Sequence, residues 1–567
     1  MMTSPASQWS IDFFAQLEAL GVRHVVISPG SRSQALAFAA HALSEGSSST
    51  LDVHVSVDER TAGFLALGLT VNSGIPTVLV CTSGSAPAHY LPALLEAKHS
   101  GLPLIVVSAD RPDRLHGVGA NQTSNHLDMF RSAAVSIKNV NLAEPHAPSG
   151  FEVATDSFRE SVAGAVRGRS GPVHINVQID EPLSSPLADE DIEMTRHSVS
   201  TVLDSRKIEP LTSVTLSPAE GTLVIAGHRA GPEAEAVAVS LGAPLIAEVQ
   251  SGAHMGPHLV VAYREVLSSP PSLIHRVVTV GRPTLSRPVQ ALLERTDIEQ
   301  VVWQRGEPEA SNPSRSARVV DEIAVEGEAT KEQIAQWVKP WVEASREIME
   351  RDAAQWDPSG PDVTLSSGSM KERAQFAEQE LSVFRTPLTR RNIAQSVWSA
   401  TWPHDYLVLG SSRMIREFDS VVPGKKLPVW SSRGLSGIDG TIATTRGISI
   451  DRAREDATGV TRAVVGDLTF LHDAGSLLMD SGESESAWVQ MVVVRDGGGS
   501  IFDTLEARQG AKDEAFERVM FTPASADLAS LAGAYGWAYR AVTTLGDLSE
   551  ALMDSTRHLI IDATIAR

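Results

Sequence analysis

The chain has 567 residues, of which 42% are hydrophobic and 21% charged, and its formal net charge is −21. That length exceeds one hydrophobic core and predicts three or four domains of roughly 100–200 residues, while the acidic balance argues against a nucleic-acid surface and requires any anion site to be built from clustered arginines. Cys81 is the only cysteine, which excludes an intrachain disulfide and a zinc cluster of Cys ligands and suits a reducing cytoplasm.

Met1 to Ser7 is short and polar, so no signal peptide is expected. An amphipathic helix follows with Trp9, Phe13, Leu17 and Leu20 on one face and Gly21 at its end. No apolar run reaches the ~18 residues of a membrane span. Four apolar runs, His24 to Ser28, Leu51 to Val55, Thr77 to Cys81 and Leu104 to Ser108, read as strands, with helices after Arg32, Arg60 and Ala88. That alternation predicts a doubly wound parallel α/β unit over residues 1–185. A segment rich in Pro, Ser and acids, from Glu181 to about Pro210, reads as an exposed linker.

A second α/β unit, over 210–330, takes its strands from Leu223 to Ala226, Pro244 to Ala247, Val277 to Val280 and Val301 to Trp303. Residues 331–385 read as polar linker and surface helix. A third unit, over 386–567, has strands at Tyr406 to Leu409, Leu427 to Trp430, Ala463 to Val465, Val489 to Val494 and Leu559 to Asp562. The fold class expected is therefore α/β, with three doubly wound parallel sheets in series.

Two turns in the third unit carry the chemistry. Gly466-Asp467-Leu468-Thr469 closes one buried run and Arg495-Asp496-Gly497-Gly498 closes the next. Asp467 and Asp496 thus fall at strand carboxyl ends, the ligand-binding edge of an open α/β sheet, 29 residues apart. A crossover helix from Phe470 to Met479 would fill the interval and set the two carboxylates side by side for a hard cation. Either turn alone is an ordinary helix cap or strand exit. Together they resemble the thiamine diphosphate signature, a Gly-Asp followed some thirty residues later by an Asn or Asp that binds the metal. Such a cofactor needs a carboxyl group against its pyrimidine, and Glu59, opening a helix after the strand Leu51 to Val55, is the candidate catalytic residue.

Several runs name a family. They are SPGSRS (Ser28 to Ser33), DERTAGFLALGL (Asp58 to Leu69), CTSGSAPA (Cys81 to Ala88), SADRP (Ser108 to Pro112), GANQT (Gly119 to Thr123), SSRGLSGIDG (Ser431 to Gly440) and GDLTFLHD (Gly466 to Asp473). The chain resembles the 2-succinyl-5-enolpyruvyl-6-hydroxy-3-cyclohexene-1-carboxylate synthases over nearly its whole length, least across the central unit. The resemblance implies a transferase of menaquinone synthesis that joins 2-oxoglutarate to isochorismate with loss of carbon dioxide. It implies thiamine diphosphate with Mg2+ (Mn2+ possible), and a homodimer or homotetramer with active sites between subunits.

For the cofactor the resemblance points to Glu59, Ser411, Ile438, Gly466, Asp467, Leu468 and Asp496. For the metal it points to Asp467, Asp496 and the Gly498 carbonyl, and for the substrates to Arg32, Arg111, Gln122, Arg287, Ser412, Arg416, Arg433, Ile501, Phe502 and Leu505, with Arg282 able to replace Arg287. Two dianionic substrates call for several guanidinium forks, and these arginines fall in loops at strand ends. Three departures stand out: Arg495 precedes the metal-side Asp496, Ser85 and His89 replace a more usual Thr and Asn, and Ala524 stands where a His often follows Thr-Pro. Two other readings remain open, a thiamine diphosphate 2-oxo acid decarboxylase or acetohydroxyacid synthase-like enzyme, and a catalytically silent binding protein of the same fold.

Overall fold

A computed structural model describes residues 3–163, 169–199, 212–455, 458–480 and 487–567. The first sheet contains β1 (His24–Ile27), β2 (Asp52–Val55), β3 (Thr77–Cys81), β4 (Leu104–Asp110), β5 (Ser136–Asn141) and β6 (Pro172–Gln178), all parallel in the order β2-β1-β3-β4-β6-β5. Strands β1, β3 and β4 are buried along their length, as parallel strands covered by helices on both faces must be. Strands β5 and β6 were not expected. The edge strand β5 buries only Val140. Strand β6 is wholly buried but carries His174, Asn176 and Gln178, whose polarity masks a strand that bonds inward: His174 Nε2 meets Ser108 Oγ at 2.8 Å, and Asn176 Nδ2 donates to Asp110 at 3.1 Å.

The central unit contains β7 (Ser213–Leu216), β8 (Thr222–Ala226), β9 (Leu245–Ala247), β10 (Arg276–Val280), β11 (Glu299–Trp303), β12 (Arg318–Val320) and β13 (Glu322–Val325). Five of them form a sheet in the order β12-β11-β10-β8-β9, and β7 pairs with β13. The region read as linker differs from expectation in its first half. The helix Lys331–Trp356 buries Trp337, Val338 and Trp341 with Leu223, Val277 and Val289 of the central unit, and Trp337 Nε1 donates to the Thr222 carbonyl at 2.7 Å. Flanking charges hide this apolar stripe in the sequence. The helix Met370–Phe384, by contrast, buries nothing. The segment from Glu181 is also partly structured: the helix Asp189–Ser198 is held by Arg196, which donates to the Leu43 carbonyl at 2.6 Å, and residues 200–210 of that expected linker lie outside the described residues.

The third sheet contains β14 (Tyr406–Leu409), β15 (Val429–Trp430), β16 (Thr461–Gly466), β17 (Val489–Arg495), β18 (Ala538–Val542) and β19 (His558–Thr564), in the order β15-β14-β16-β17-β19-β18. Its relative strand order repeats that of the first sheet. In both, the order reverses between the first and third strands, which opens a crevice at the carboxyl ends of β1 and β3 and again of β14 and β16. The first and third units share one core, in which Phe64, Leu65 and Leu69 of the helix Glu59–Ser73 cluster with Ile442 and Ile448 of the helix Thr441–Arg454. Glycines permit this approach, since a Cβ on Gly68 would lie 2.1 Å from the Thr444 carbonyl oxygen and one on Gly447 2.2 Å from that of Leu65. Among the described residues no helix is long and apolar enough to cross a membrane.

Candidate active site

The crevice of the third sheet is a cavity floored by the ends of β14, β16 and β17. Gly466 pairs with Val494, so the chain exits β16 and β17 side by side and Asp467 comes next to Asp496. Asp467 is 3% exposed; its Oδ1 accepts the Leu468 N–H at 2.8 Å and its Oδ2 the Gly497 N–H at 2.9 Å. Burial, and then the charge of Asp496, push its carboxyl up to about 6. The Asp496 Oδ2 accepts Arg390 Nη2 at 2.6 Å and Nε at 3.2 Å, and also the Ser500 hydroxyl. Gly497 has φ +88°, and a Cβ on Gly498 would strike the Phe521 carbonyl at 2.4 Å, so this loop needs both glycines.

The expected crossover helix to Met479 is two pieces, Asp467–His472 and a 3-10 turn Ala474–Leu477. Asp473 interrupts it, because its carboxylate accepts the Ile442 and Ala443 N–H groups at 2.8 and 3.1 Å and the Ser476 hydroxyl at 2.8 Å. Ser412, Ile438, Leu468, Ile501 and Phe502 line the same cavity as the two acids, Gly466 and Gly498; Leu505 does not. The buried Ser411 hydroxyl donates to the Ser432 carbonyl at 2.6 Å and ties the loop carrying Arg433 and Ile438 to the end of β14. Arg495 turns away along the sheet, 3.0 Å from Asp562 and 3.0 Å from the Thr564 hydroxyl. Its cation is thereby matched on β19.

The arginines behind this cavity form a second group. Arg433 is 3% exposed, donates to the Thr284 hydroxyl at 2.9 Å and carbonyl at 3.1 Å, and burial lowers it to about 10. Arg416 donates to the Ser412 carbonyl at 2.6 Å and is likewise lowered by burial. Of the two central-unit candidates, Arg282 donates to the Arg433 carbonyl at 2.5 Å, whereas Arg287 is exposed and paired with Glu506 at 2.7 Å. The loop itself is held from the first unit by Glu96, whose carboxylate accepts the Gly434 and Leu435 N–H groups at 2.7 Å each.

The remaining candidates occupy the corresponding edge of the first sheet. Glu59 opens its helix behind the N-cap Asp58, and its charge, after burial, raises the Cys81 thiol at the end of β3. Beyond β3, Arg111 donates to the Ser83 hydroxyl, Gln122 (φ +60°) donates to the Ser83 carbonyl at 2.9 Å, and Arg32 donates to the Ile179 carbonyl at 2.7 Å with its charge felt by Arg111. None of these residues lines the Asp467 cavity of the same chain, whose lining comes wholly from residues 390–502.

The donor set at the third sheet suits a hard dication: two neighbouring carboxylates, of which Asp467 is raised by burial and by the charge of Asp496, with the Gly498 backbone beside them and amides presented by a strand end. Sequence reading missed Arg390 and Arg413, the only cations that line the cavity among the described residues, as well as Glu96. Arg413 directly follows the candidate Ser412 and was legible by position; Arg390 is 106 residues from Asp496 and carries no local signal.

Known proteins resemble the chain in sequence and in fold. Residues 10–130 match the family model described as thiamine pyrophosphate enzyme, N-terminal TPP binding domain. The 2-succinyl-5-enolpyruvyl-6-hydroxy-3-cyclohexene-1-carboxylate synthase of Leifsonia xyli subsp. xyli is 45% identical, over 97% of this chain and 94% of that protein. The enzyme of the same name from Clavibacter michiganensis subsp. michiganensis is 40% identical over 100% and 97%. Benzoylformate decarboxylase from Polynucleobacter necessarius superposes with a TM-score of 0.66 at 13% identity, covering 99% of this chain and 98% of that one, a likeness of fold alone. With identity of this degree sustained across all three sheets, the chain belongs to the thiamine diphosphate-dependent 2-succinyl-5-enolpyruvyl-6-hydroxy-3-cyclohexene-1-carboxylate synthase family.

Proposed function

We propose that the chain joins 2-oxoglutarate to isochorismate with release of carbon dioxide, as a cytoplasmic homo-oligomer. The observation that carries this reading is the pairing of Asp467 with Asp496 at adjacent strand ends, where the Asp496 charge adds to burial in raising the Asp467 carboxyl and a dication between them would relieve it. In this reading Asp467, Asp496 and the Gly498 carbonyl hold Mg2+ or Mn2+, while Ser411, Gly466 and Leu468 shape the diphosphate cradle and Ile438 supports the ring system. Bound thiamine diphosphate supplies the electron sink for the decarboxylating carbon.

The protein's own groups supply position and charge. Glu59 presents its carboxyl group to the cofactor's pyrimidine. Arg32, Arg111 and Gln122 from the first unit, Arg287 from the central unit, and Ser412, Arg416 and Arg433 from the third receive the substrate carboxylates. Ile501 and Phe502 wall the cavity, with Leu505 at its rim. Glu59 does not line the Asp467 cavity of its own chain, which supports an active site completed by a second subunit. The test is an assay of purified protein with 2-oxoglutarate, isochorismate, thiamine diphosphate and Mg2+, following isochorismate absorbance. Its decay, dependent on all four additions, is the expected result; persistence with cofactor bound would assign the chain to another 2-oxo acid reaction.

A further inference from the structure

The cavity around Asp467 is lined by four charged side chains among the described residues, Asp467, Asp496, Arg390 and Arg413. Two anions and two cations leave it neutral before any ligand enters. The pairing within it is uneven. Arg390, at the start of the helix Arg390–Ala400, places Nη2 and Nε on one oxygen of Asp496, with side-chain exposures of 13% and 7% for the two residues. Arg413 donates instead to the Ser500 carbonyl at 2.9 Å, and Ser500 in turn donates its hydroxyl to the same Asp496 oxygen. A guanidinium therefore occupies the metal-side carboxylate, while Asp467 is held by backbone amides alone.

We infer that Arg390 is a resident counter-ion of Asp496 that a dication displaces, and that the freed guanidinium joins Arg413 in receiving the diphosphate, so that metal and diphosphate bind cooperatively. This rests on the proposed cofactor reading and deepens it. The physical argument is one of charge. A dication alone must compete with Arg390 for Asp496 and leaves the cavity with an excess of two positive charges in low-dielectric surroundings. A diphosphate arriving with it cancels that excess and gives both guanidinium groups an acceptor that suits their planar forks. Metal alone is thus held weakly, and metal with diphosphate strongly, without any movement of the sheet.

The test is calorimetric titration of the full-length, ligand-free protein with Mn2+ alone, and of Mn2+-loaded protein with inorganic pyrophosphate, for the wild type, Arg390→Gln and Arg390→Lys. Removing the competing cation in Arg390→Gln tightens Mn2+ binding by about tenfold and weakens subsequent pyrophosphate binding by about tenfold. Arg390→Lys, which retains the charge on a single donor centre and preserves the fold, falls between the two. Mn2+ affinity that is unchanged or weaker in both variants would overturn the inference and leave the cofactor site standing. A wild type that binds no Mn2+, alone or with pyrophosphate, would remove the cofactor reading and this inference together.

Discussion

Arg433 is held by Thr284 through Nε and Nη2, yet its Nη1 is buried without a hydrogen-bond partner among the described residues. An orphan guanidinium donor in such a place is a strong binding site for a carboxylate acceptor, since leaving it unpaired is costly. Arg433→Ala should lower kcat/KM by about 100-fold, and Arg433→Lys should recover part of it; steady-state kinetics that ignore both changes would exclude Arg433 from substrate binding. Beside it, Glu248 is buried and accepts the Thr284 and Leu285 N–H groups at 2.5 and 2.6 Å; burial, then the Asp419 charge, raise its carboxyl from 4.5 to about 7. The folded value lies above the unfolded one, so its contribution to stability is fully present below about 4.5 and is lost as pH rises through about 7. Glu248→Gln keeps the shape and removes that loss. The variant should exceed the wild type by roughly 1–3 kcal/mol at about pH 8, with the gap closing below about pH 5, in urea melts across pH.

At the scale of elements, the contact that positions Glu59 is the packing of its helix on Thr441–Arg454. Helix propensity alone makes Gly68→Ala stabilising by about 1 kcal/mol. Steric overlap with the Thr444 carbonyl reverses that sign, and the substitution should cost roughly 2–3 kcal/mol. Because the displaced helix carries Glu59, cofactor affinity should fall as well; a thermal melt showing Gly68→Ala as stable as the wild type would contradict the close approach. This contact was only half legible. Ala62, Leu65, Ala66 and Leu69 share one face at helical spacing, but Thr61 to Thr70 is buried on every side because a second helix covers the remaining face. Likewise Trp337 and Trp341 were hidden by the charges around them, and β5 and β18 by their place at sheet edges, where one buried residue in five or six suffices.

For the whole molecule, the order of sheets was readable because interior parallel strands are continuous apolar runs ending in glycine or polar turns, as at Val464-Val465-Gly466 and Leu407 to Gly410. Asp467 and Asp496 could be placed because each stands where such a run stops, whereas Glu59 follows the half-polar edge strand β2 and opens the next helix. Arg390 on Asp496 and Glu96 on the Arg433 loop could not be placed in this way, since pairings between distant segments leave no local pattern. Under the proposed function, Glu59 of one subunit serves the Asp467 and Asp496 pair of another. Co-expressing Glu59→Gln and Asp467→Asn chains, each inactive alone, and assaying the purified mixture for 2-oxoglutarate-dependent loss of isochorismate tests it directly. Random assembly should restore about a quarter of wild-type activity, because half of the subunit pairs are hybrids and each hybrid holds one intact site. A mixture of properly assembled hybrids with no activity would contradict the account.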